Sequence, residues 1–357
     1  MPRIEQHRAL QRKSLTAYSD IIDVRSPSEF AEDHIPGAIN LPVLSDTERA
    51  EVGTIYVRDS RFKARRLGAA LVSANIARHL QTVLANKASS YRPLLYCWRG
   101  GMRSNAMATV LSAIGWRVAV LERGYKAWRQ EVVFALRENP APLRILLLDG
   151  QTGTAKTGIL QALKQRGCQT LDLEGAANHR GSVFGWYADA PQPSQKFFES
   201  LLWWSLSGLN LKRHIIVEAE SNLIGKRALP QRLSASMRGA PRIEVVADLT
   251  VRARYLAQTY RDLTANADRL RASINALNPF HSRTTTEHWL KLAGEGDFAQ
   301  LAAQIAEAHY DPLYSRQRRC APLQTLSTAT LDQAGIAAMA DKISDLVAQL
   351  DAQKVMP

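Results

Sequence analysis

Two segments of the chain join an apolar run, a glycine-bearing turn and a helical pattern, and they restrict the fold more than any other feature. The first runs from Leu94-Leu95-Tyr96 through Cys97-Trp98-Arg99-Gly100-Gly101-Met102-Arg103 into a helical pattern over 104–114. The second runs from 144–148 through Asp149-Gly150-Gln151-Thr152-Gly153-Thr154-Ala155-Lys156-Thr157 into a helical pattern over 157–164. A strand that enters a tight turn and leaves as a helix is the repeating unit of parallel α/β sheets. The surrounding pattern supplies more such units. Residues 21–24, 118–121, 169–173, 214–217 and 242–246 read as strands, and 64–84 and 195–209 as helices. From about Val251 the chain is mostly helical and ends in an amphipathic stretch over 333–350.

The expected fold class is α/β in two parts. The 357 residues amount to about two domains at the usual domain size. Glu138-Asn139-Pro140-Ala141-Pro142 stops one helical pattern before the next strand begins. The expected division is therefore a first domain over 1–138, a linker over 139–142 and a second domain over 143–357. The second carries the helical C-terminal region.

Charge enters where partners are considered. Lys and Arg number 46 against 33 Asp and Glu, a net +13, and 34 of the 46 are Arg. The planar guanidinium grips phosphate and stacks on bases, so a phosphate-rich partner fits, as does an arginine-rich proteome. The densest basic stretch, 226–261, holds Lys226, Arg227, Arg232, Arg238, Arg242, Arg252, Arg254 and Arg261. Of these Lys226, Arg227, Arg232, Arg238, Arg252 and Arg254 are the expected RNA-contacting set. Cys97, Cys168 and Cys320 are odd in number and far apart, which points to a reducing compartment and away from a disulfide scaffold or zinc site. No signal peptide or membrane-length apolar run is visible, so the expected location is cytoplasmic, with no membrane contact.

The two turns carry the chemistry. At Cys97 the loop amides and the start of the following helix converge on sulfur, and Arg99 and Arg103 add positive charge; both effects favour a thiolate. The second turn matches G-x-x-x-x-G-K-[ST], with Gly150, Gly153, Lys156 and Thr157 in place. Ala155 stands where that turn prefers glycine and would strain the loop if its φ is positive. Glu218, at the end of the strand over 214–217, is the candidate for a metal-holding acid, and Mg is the ion such a loop would use.

Three segments in order resemble the rhodanese family. They are Asp23-Val24-Arg25-Ser26-Pro27-Ser28-Glu29-Phe30 with His34-Ile35-Pro36-Gly37-Ala38-Ile39-Asn40, then the Cys97 turn, then Arg123-Gly124-Tyr125-Lys126-Ala127-Trp128-Arg129. Arg123 occupies a position where many members carry glycine. A rhodanese-like half joined to a phosphate-loop half resembles the tRNA 2-selenouridine synthase family. Segments 49–56, 64–72, 172–185, 218–225 and 309–314 resemble it as well. That resemblance implies replacement of sulfur by selenium at C2 of wobble 2-thiouridine, with selenophosphate as donor and S-geranylation from geranyl diphosphate as an associated activity. It implies the tRNA anticodon arm as substrate and a selenophosphate-supplying enzyme as a possible partner. It also implies Cys97, with Arg99 and Arg103, in selenium delivery, while Asp23 and Arg25 organise that site. Gly150, Gly153, Lys156 and Thr157 would hold the diphosphate, with Asn178, His179, Arg180 and Glu218 near it. Trp186, Tyr187, Phe197, Phe198, Trp203 and Trp204 are open to two readings, a prenyl pocket or core. One other reading of the whole remains: a persulfide sulfurtransferase fused to an ATP-dependent small-molecule kinase.

Overall fold

A computed structural model describes residues 4–187, 190–317 and 321–352. The chain forms two compact units, Met1–Asn139 with Ser194–Gly208, and Pro140–Pro193 with Leu209–Pro357.

The first unit is built on strands β1 (Glu5–His7), β2 (Asp20–Asp23), β3 (Ile39–Asn40), β4 (Pro93–Tyr96) and β5 (Ala119–Leu121). They pair in the order β1-β5-β4-β2-β3, all parallel. Parallel strands are covered on both faces and read as continuous apolar runs, which is why Pro93–Tyr96 is buried throughout. Ile22, Leu95, Met107, Leu111 and Val120 are completely buried in its core. A helical hairpin, Asp46–Arg58 and Arg61–Gln81, enters between β3 and β4.

The break after Asn139 falls where the prolines stand, but the second unit is not one continuous stretch. The helix Gln195–Leu206, which sequence places in the second domain, belongs to the first. Trp128 is fully buried and donates its indole N–H to Ser200 Oγ at 3.1 Å. Glu199, 1% exposed, accepts from Arg129 and from Arg137, the latter at 2.6 Å. Periodicity tells that Phe198, Leu202 and Leu206 share a buried face; it does not tell which core receives it.

The second unit is built on β6 (Ile145–Asp149), β7 (Thr170–Leu171), β8 (Ile215–Glu218), β11 (Arg242–Val246) and β12 (Gln324–Ser327), in the parallel order β12-β11-β6-β8-β7. A short antiparallel pair, β9 (Leu223–Ile224) and β10 (Arg227–Ala228), lies outside it. β12 interrupts the region read as mostly helical; the largely exposed run Leu323-Gln324-Thr325-Leu326-Ser327 has no clean period of its own. The helix Gln333–Ala352 sends Met339, Ala340, Ile343 and Val347 into the core beside Ile159 and Leu163. Helices between residues 261 and 305 form a separate apolar cluster around Trp289, Ile274 and Leu277.

Candidate active sites

In the first unit the thiol of Cys97 sits at the end of β4, where the loop bends back over it. Its Sγ accepts from the Gly101 amide at 3.3 Å and from Ser104 Oγ at 3.3 Å. Burial opposes ionisation, but those donors and the amides of Ser104 and Arg99 outweigh it and hold the thiol below its ordinary pKa. The expected arginine contribution is corrected by the geometry. Arg99 is exposed and acts through its backbone, while the Arg103 guanidinium is taken by Glu29 at 2.9 Å. Glu29 also meets Arg49 at 3.1 Å.

The closing motif holds the loop from behind. Tyr125 N–H donates to the Cys97 carbonyl at 2.8 Å, and Lys126 N–H to that of Trp98 at 3.0 Å. Arg123 and Gly124 are both left-handed, with φ of 61° and 54°. A Cβ on Gly124 would collide with the Cys97 carbonyl and lie 2.6 Å from the Gly100 amide, so only glycine fits. Asp23 and Arg25 are buried and paired at 2.6 Å; Arg25 also donates to the Asp33 carbonyl and lies 3.9 Å from the Tyr125 ring centre. They brace the loops around the thiol and do not contact it.

In the second unit the turn after β6 is a phosphate-loop cradle. Gly150 has φ 152°, and a Cβ there would lie 2.6 Å from the Val245 carbonyl; Gly153 has φ 85°. Ala155 has φ 59°, so the strained conformation is real, at on the order of 1–2 kcal/mol for an L-residue. Its methyl is buried with Ala247 and Leu331. Lys156 Nζ donates to the Gly150 carbonyl at 2.8 Å and lies 5.1 Å from the Tyr314 ring centre. Burial works against its charge; Tyr314, Glu220 and Glu174 together more than offset that and raise it above an ordinary lysine.

Carboxylates gather beside it. Thr157 Oγ1 donates to Glu174 at 2.9 Å. Burial and the neighbouring Glu220 push Glu174 up to about 7. Burial, then Glu174 and Asp172, pushes Glu218 well above the carboxylate range, and among the described residues neither of its oxygens has a hydrogen-bond partner. Burial raises Glu220 too, although Lys156 opposes it. A buried acid with both oxygens unbonded next to the loop threonine fits a Mg ion of the usual kind, which takes one or two carboxylates and completes its shell from phosphate and water. Among the described residues no three His, Cys, Asp or Glu side chains form a metal cage by themselves.

Lys156, Thr157, Gly153, Ala155, Glu174, Glu220 and Arg180 line an open cleft of about 1170 Å³ with Tyr255, Tyr260, Tyr310 and Tyr314. The tyrosines come from the helical region; Tyr310 and Tyr314 lie in the family-like segment 309–314, to which sequence assigned no role, and Tyr255 and Tyr260 in no motif. Beside the cleft, and sharing Thr152, Ser182, Leu256, Tyr260 and Tyr310 with it, is a second, smaller pocket. Its further lining is apolar, with Phe184, Leu263, Leu270, Phe298, Leu301 and Ile305.

The structure separates residues that sequence had grouped. Arg180 reaches the cleft, paired with Asp262 at 3.0 Å and stacked on Tyr187 and Tyr260, and its Nη1 has no hydrogen-bond partner among the described residues. Asn178 caps a short helix at φ 49° and donates to the carbonyls of Ala190 and Pro191. His179 is 1% exposed, packs edge-on against Trp186 and is held neutral by burial. The basic stretch also divides. Lys226, Arg238 and Arg254 are exposed. Arg227 is half-buried, and Arg232 is buried and donates to the Ala141 carbonyl. Arg252, 3% exposed, donates to the Thr152 carbonyl at 3.0 Å and pairs with Asp311 at 2.8 Å. It is therefore a brace of the phosphate loop and not a surface for RNA. Four aromatic residues, Phe197, Phe198, Trp203 and Trp204, lie on the helix of the first unit and are not part of the apolar pocket.

Residues 5–131 match the model of the rhodanese-like domain, and residues 143–287 match that of the tRNA 2-selenouridine synthase AAA domain. The tRNA 2-selenouridine synthase of Shewanella denitrificans (strain OS217) is 34% identical over 330 residues, covering 83% of this chain and 88% of its own. This chain belongs to the tRNA 2-selenouridine synthase family. Relatives of the same name from Psychromonas ingrahamii and Bdellovibrio bacteriovorus are 34% and 38% identical, over 71% and 65% of this chain and 68% and 62% of theirs. Among the described residues no helix is long and apolar enough to cross a membrane.

Proposed function

We propose that the protein is a tRNA-modifying selenotransferase. It replaces sulfur by selenium at C2 of wobble 2-thiouridine, with selenophosphate as donor, by way of an S-geranyl intermediate made from geranyl diphosphate. Family membership supports the selenation of tRNA. The observation that carries the geranyl step is the apolar pocket beside the phosphate-loop cleft. A diphosphate with a hydrocarbon tail matches a polar cradle joined to a wall of Phe, Leu and Ile. A hydrocarbon chain is satisfied by contact with that wall alone, which favours the geranyl reading over the ATP-dependent kinase reading.

The residue roles follow from position. Loop amides, Lys156 and Thr157 hold the diphosphate, with Arg180 Nη1 free to join them. Thr157 and Glu218 would hold a Mg ion, which would supply charge neutralisation for the diphosphate. As the thiouridine sulfur bonds to geranyl C1, the C–O bond breaks toward diphosphate and the base gives up its N3 proton. Glu174, a cleft carboxylate held near neutrality, is suited to accept it. Alkylation makes the sulfur a better leaving group; the selenium of selenophosphate then bonds to C2, geranyl thiol leaves, and water cleaves the Se–P bond to release phosphate. The Cys97 thiolate takes part in delivering that selenium. A selenophosphate-supplying enzyme is the partner this requires, in the cytoplasm where tRNA is found.

The test is nucleoside mass spectrometry of 2-thiouridine tRNA incubated with enzyme, geranyl diphosphate and selenophosphate. Lys156→Ala is expected to abolish geranylation and Cys97→Ser selenation. Leu301→Trp, which fills the apolar pocket, should raise the KM for geranyl diphosphate while selenation of pre-geranylated tRNA continues. Wild-type enzyme yielding neither modified nucleoside would refute the proposal.

A further inference from the structure

The helical hairpin of the first unit has a well-fixed root and a tip with exposed rings and arginines. At the root Glu48 accepts from the Ser45 amide at 2.7 Å and from Asn75 at 2.9 Å, and Arg49 pairs with Glu29 at 3.1 Å. The two helices touch closely, with the Gly68 Cα facing Val52. Toward the tip the packing narrows to Ala64, which is buried: the helix Asp46–Arg58 has no buried residue, and Val57 and Phe62 are 82% and 72% exposed, with Tyr56 exposed beside them.

The tip has a distinct composition. Residues 56–66 hold Arg58, Arg61, Lys63, Arg65 and Arg66 against the single acid Asp59. All five basic side chains are exposed. Lys63 is shared with Asp59 at 3.2 Å, and Arg61 lies 5.5 Å from the Tyr56 ring centre. Among the described residues Arg58, Arg65 and Arg66 have no ion pair or hydrogen bond from their side chains. A core-forming helix would hide Phe62, and a merely solvated one would have no use for it. Arginines interleaved with exposed rings suit RNA, whose phosphates pair with guanidinium and whose unstacked bases lie on aromatic faces.

We propose that the hairpin tip is a tRNA-binding surface, gripping backbone phosphates through Arg58, Arg61, Arg65 and Arg66, with Phe62 as a stacking face. The inference rests on tRNA being the substrate. It relocates the main electrostatic contact from the 226–261 stretch, whose arginines are partly spent inside the fold. The placement also suits the chemistry. From Arg49 to Arg58 the helix rises about 14 Å at 1.5 Å per residue. Arg49 shares Glu29 with Arg103 of the Cys97 loop. RNA held at the tip therefore rests on an arm whose root is tied to the selenium-delivering loop.

The experiment is fluorescence anisotropy of the full-length protein with labelled 2-thiouridine tRNA over a range of salt concentrations. The Arg61→Ser/Arg65→Ser/Arg66→Ser variant removes exposed side chains only, and an unchanged melting curve checks its fold. Losing three phosphate contacts lowers the slope of log affinity against log salt by about 2–3, and affinity by on the order of a hundredfold at about 0.1 M salt. Phe62→Ala should weaken binding about tenfold or more with the slope preserved, because stacking is worth about 1–3 kcal/mol. A matched Lys226→Ser/Arg238→Ser/Arg254→Ser variant should change the slope less. A hairpin variant that keeps the wild-type slope overturns the proposal. So does one that keeps it yet loses binding to phosphatidylglycerol vesicles, which would assign the tip to a lipid surface. Wild-type protein without salt-dependent tRNA binding would overturn the functional reading along with it.

Discussion

Gly124→Ala is the sharpest perturbation of the thiol site, because it adds one methyl group where the backbone leaves no room. Three costs add. The residue is at φ 54°, which costs an L-residue about 1–2 kcal/mol. The new Cβ would collide with the Cys97 carbonyl and meet the Gly100 amide at 2.6 Å, so the two loops must separate. Separation weakens the Tyr125-to-Cys97 hydrogen bond, at 2.8 Å, worth about 1 kcal/mol net, and disturbs close packing worth about as much again. The expected loss is about 3–5 kcal/mol, at the extreme of single substitutions. Urea denaturation followed by Trp fluorescence would read it. Alkylation of Cys97 by iodoacetamide at neutral pH should also slow, since the displaced loop no longer aims its amides at sulfur. Gly101→Ala is the control: it sits in the same loop with nothing within 4 Å of its Cβ, and should cost about 1 kcal/mol or less. If Gly124→Ala unfolds within about 1 kcal/mol of wild type and its thiol reacts normally, the closing motif does not hold the loop.

Three further outcomes follow from the geometry. The Cys97 pKa is depressed, so thiolate is present above a midpoint lower than an ordinary cysteine's and is lost as pH falls through it; Ser104→Ala, removing the 3.3 Å donor, should move the pH profile of alkylation upward. Ala155→Gly relieves a left-handed residue by about 1–2 kcal/mol but gives up a buried methyl worth about 0.8 kcal/mol and about 0.4–1 kcal/mol of chain entropy, so melting should be nearly unchanged. A stability change beyond about 2 kcal/mol would contradict that balance. Asp311→Ala leaves Arg252 buried without its carboxylate, which should cost about 3 kcal/mol and weaken diphosphate binding, measured by calorimetry, because Arg252 also holds the Thr152 carbonyl.

Much of the molecule was legible in local pattern. Strand, glycine turn and helix are contiguous in sequence, so both cradles, and with them the parallel α/β class, could be read from Leu94 to Ile114 and from Ile145 to Lys164. Gly124, Gly150 and Gly153 occupy conformations that glycine alone adopts easily, and Ala155 shows its strain at the position where a positive φ was suspected. The chemistry of Cys97, Lys156 and Thr157 is carried by residues within one turn of each other, where short-range physics decides. Tertiary structure decided what depends on distant partners. Arg103 looked like a thiolate stabiliser until Glu29, 74 residues away, claimed its guanidinium. Arg252 looked like a phosphate binder until Asp311 and the Thr152 carbonyl buried it. The tyrosine wall, the apolar pocket and the near-neutral Glu174 come from segments far apart in the chain. The same holds for the helix Gln195–Leu206. Its amphipathic face was written in the sequence, but its place in the first unit was not, because burial is a demand any core of the right shape can meet.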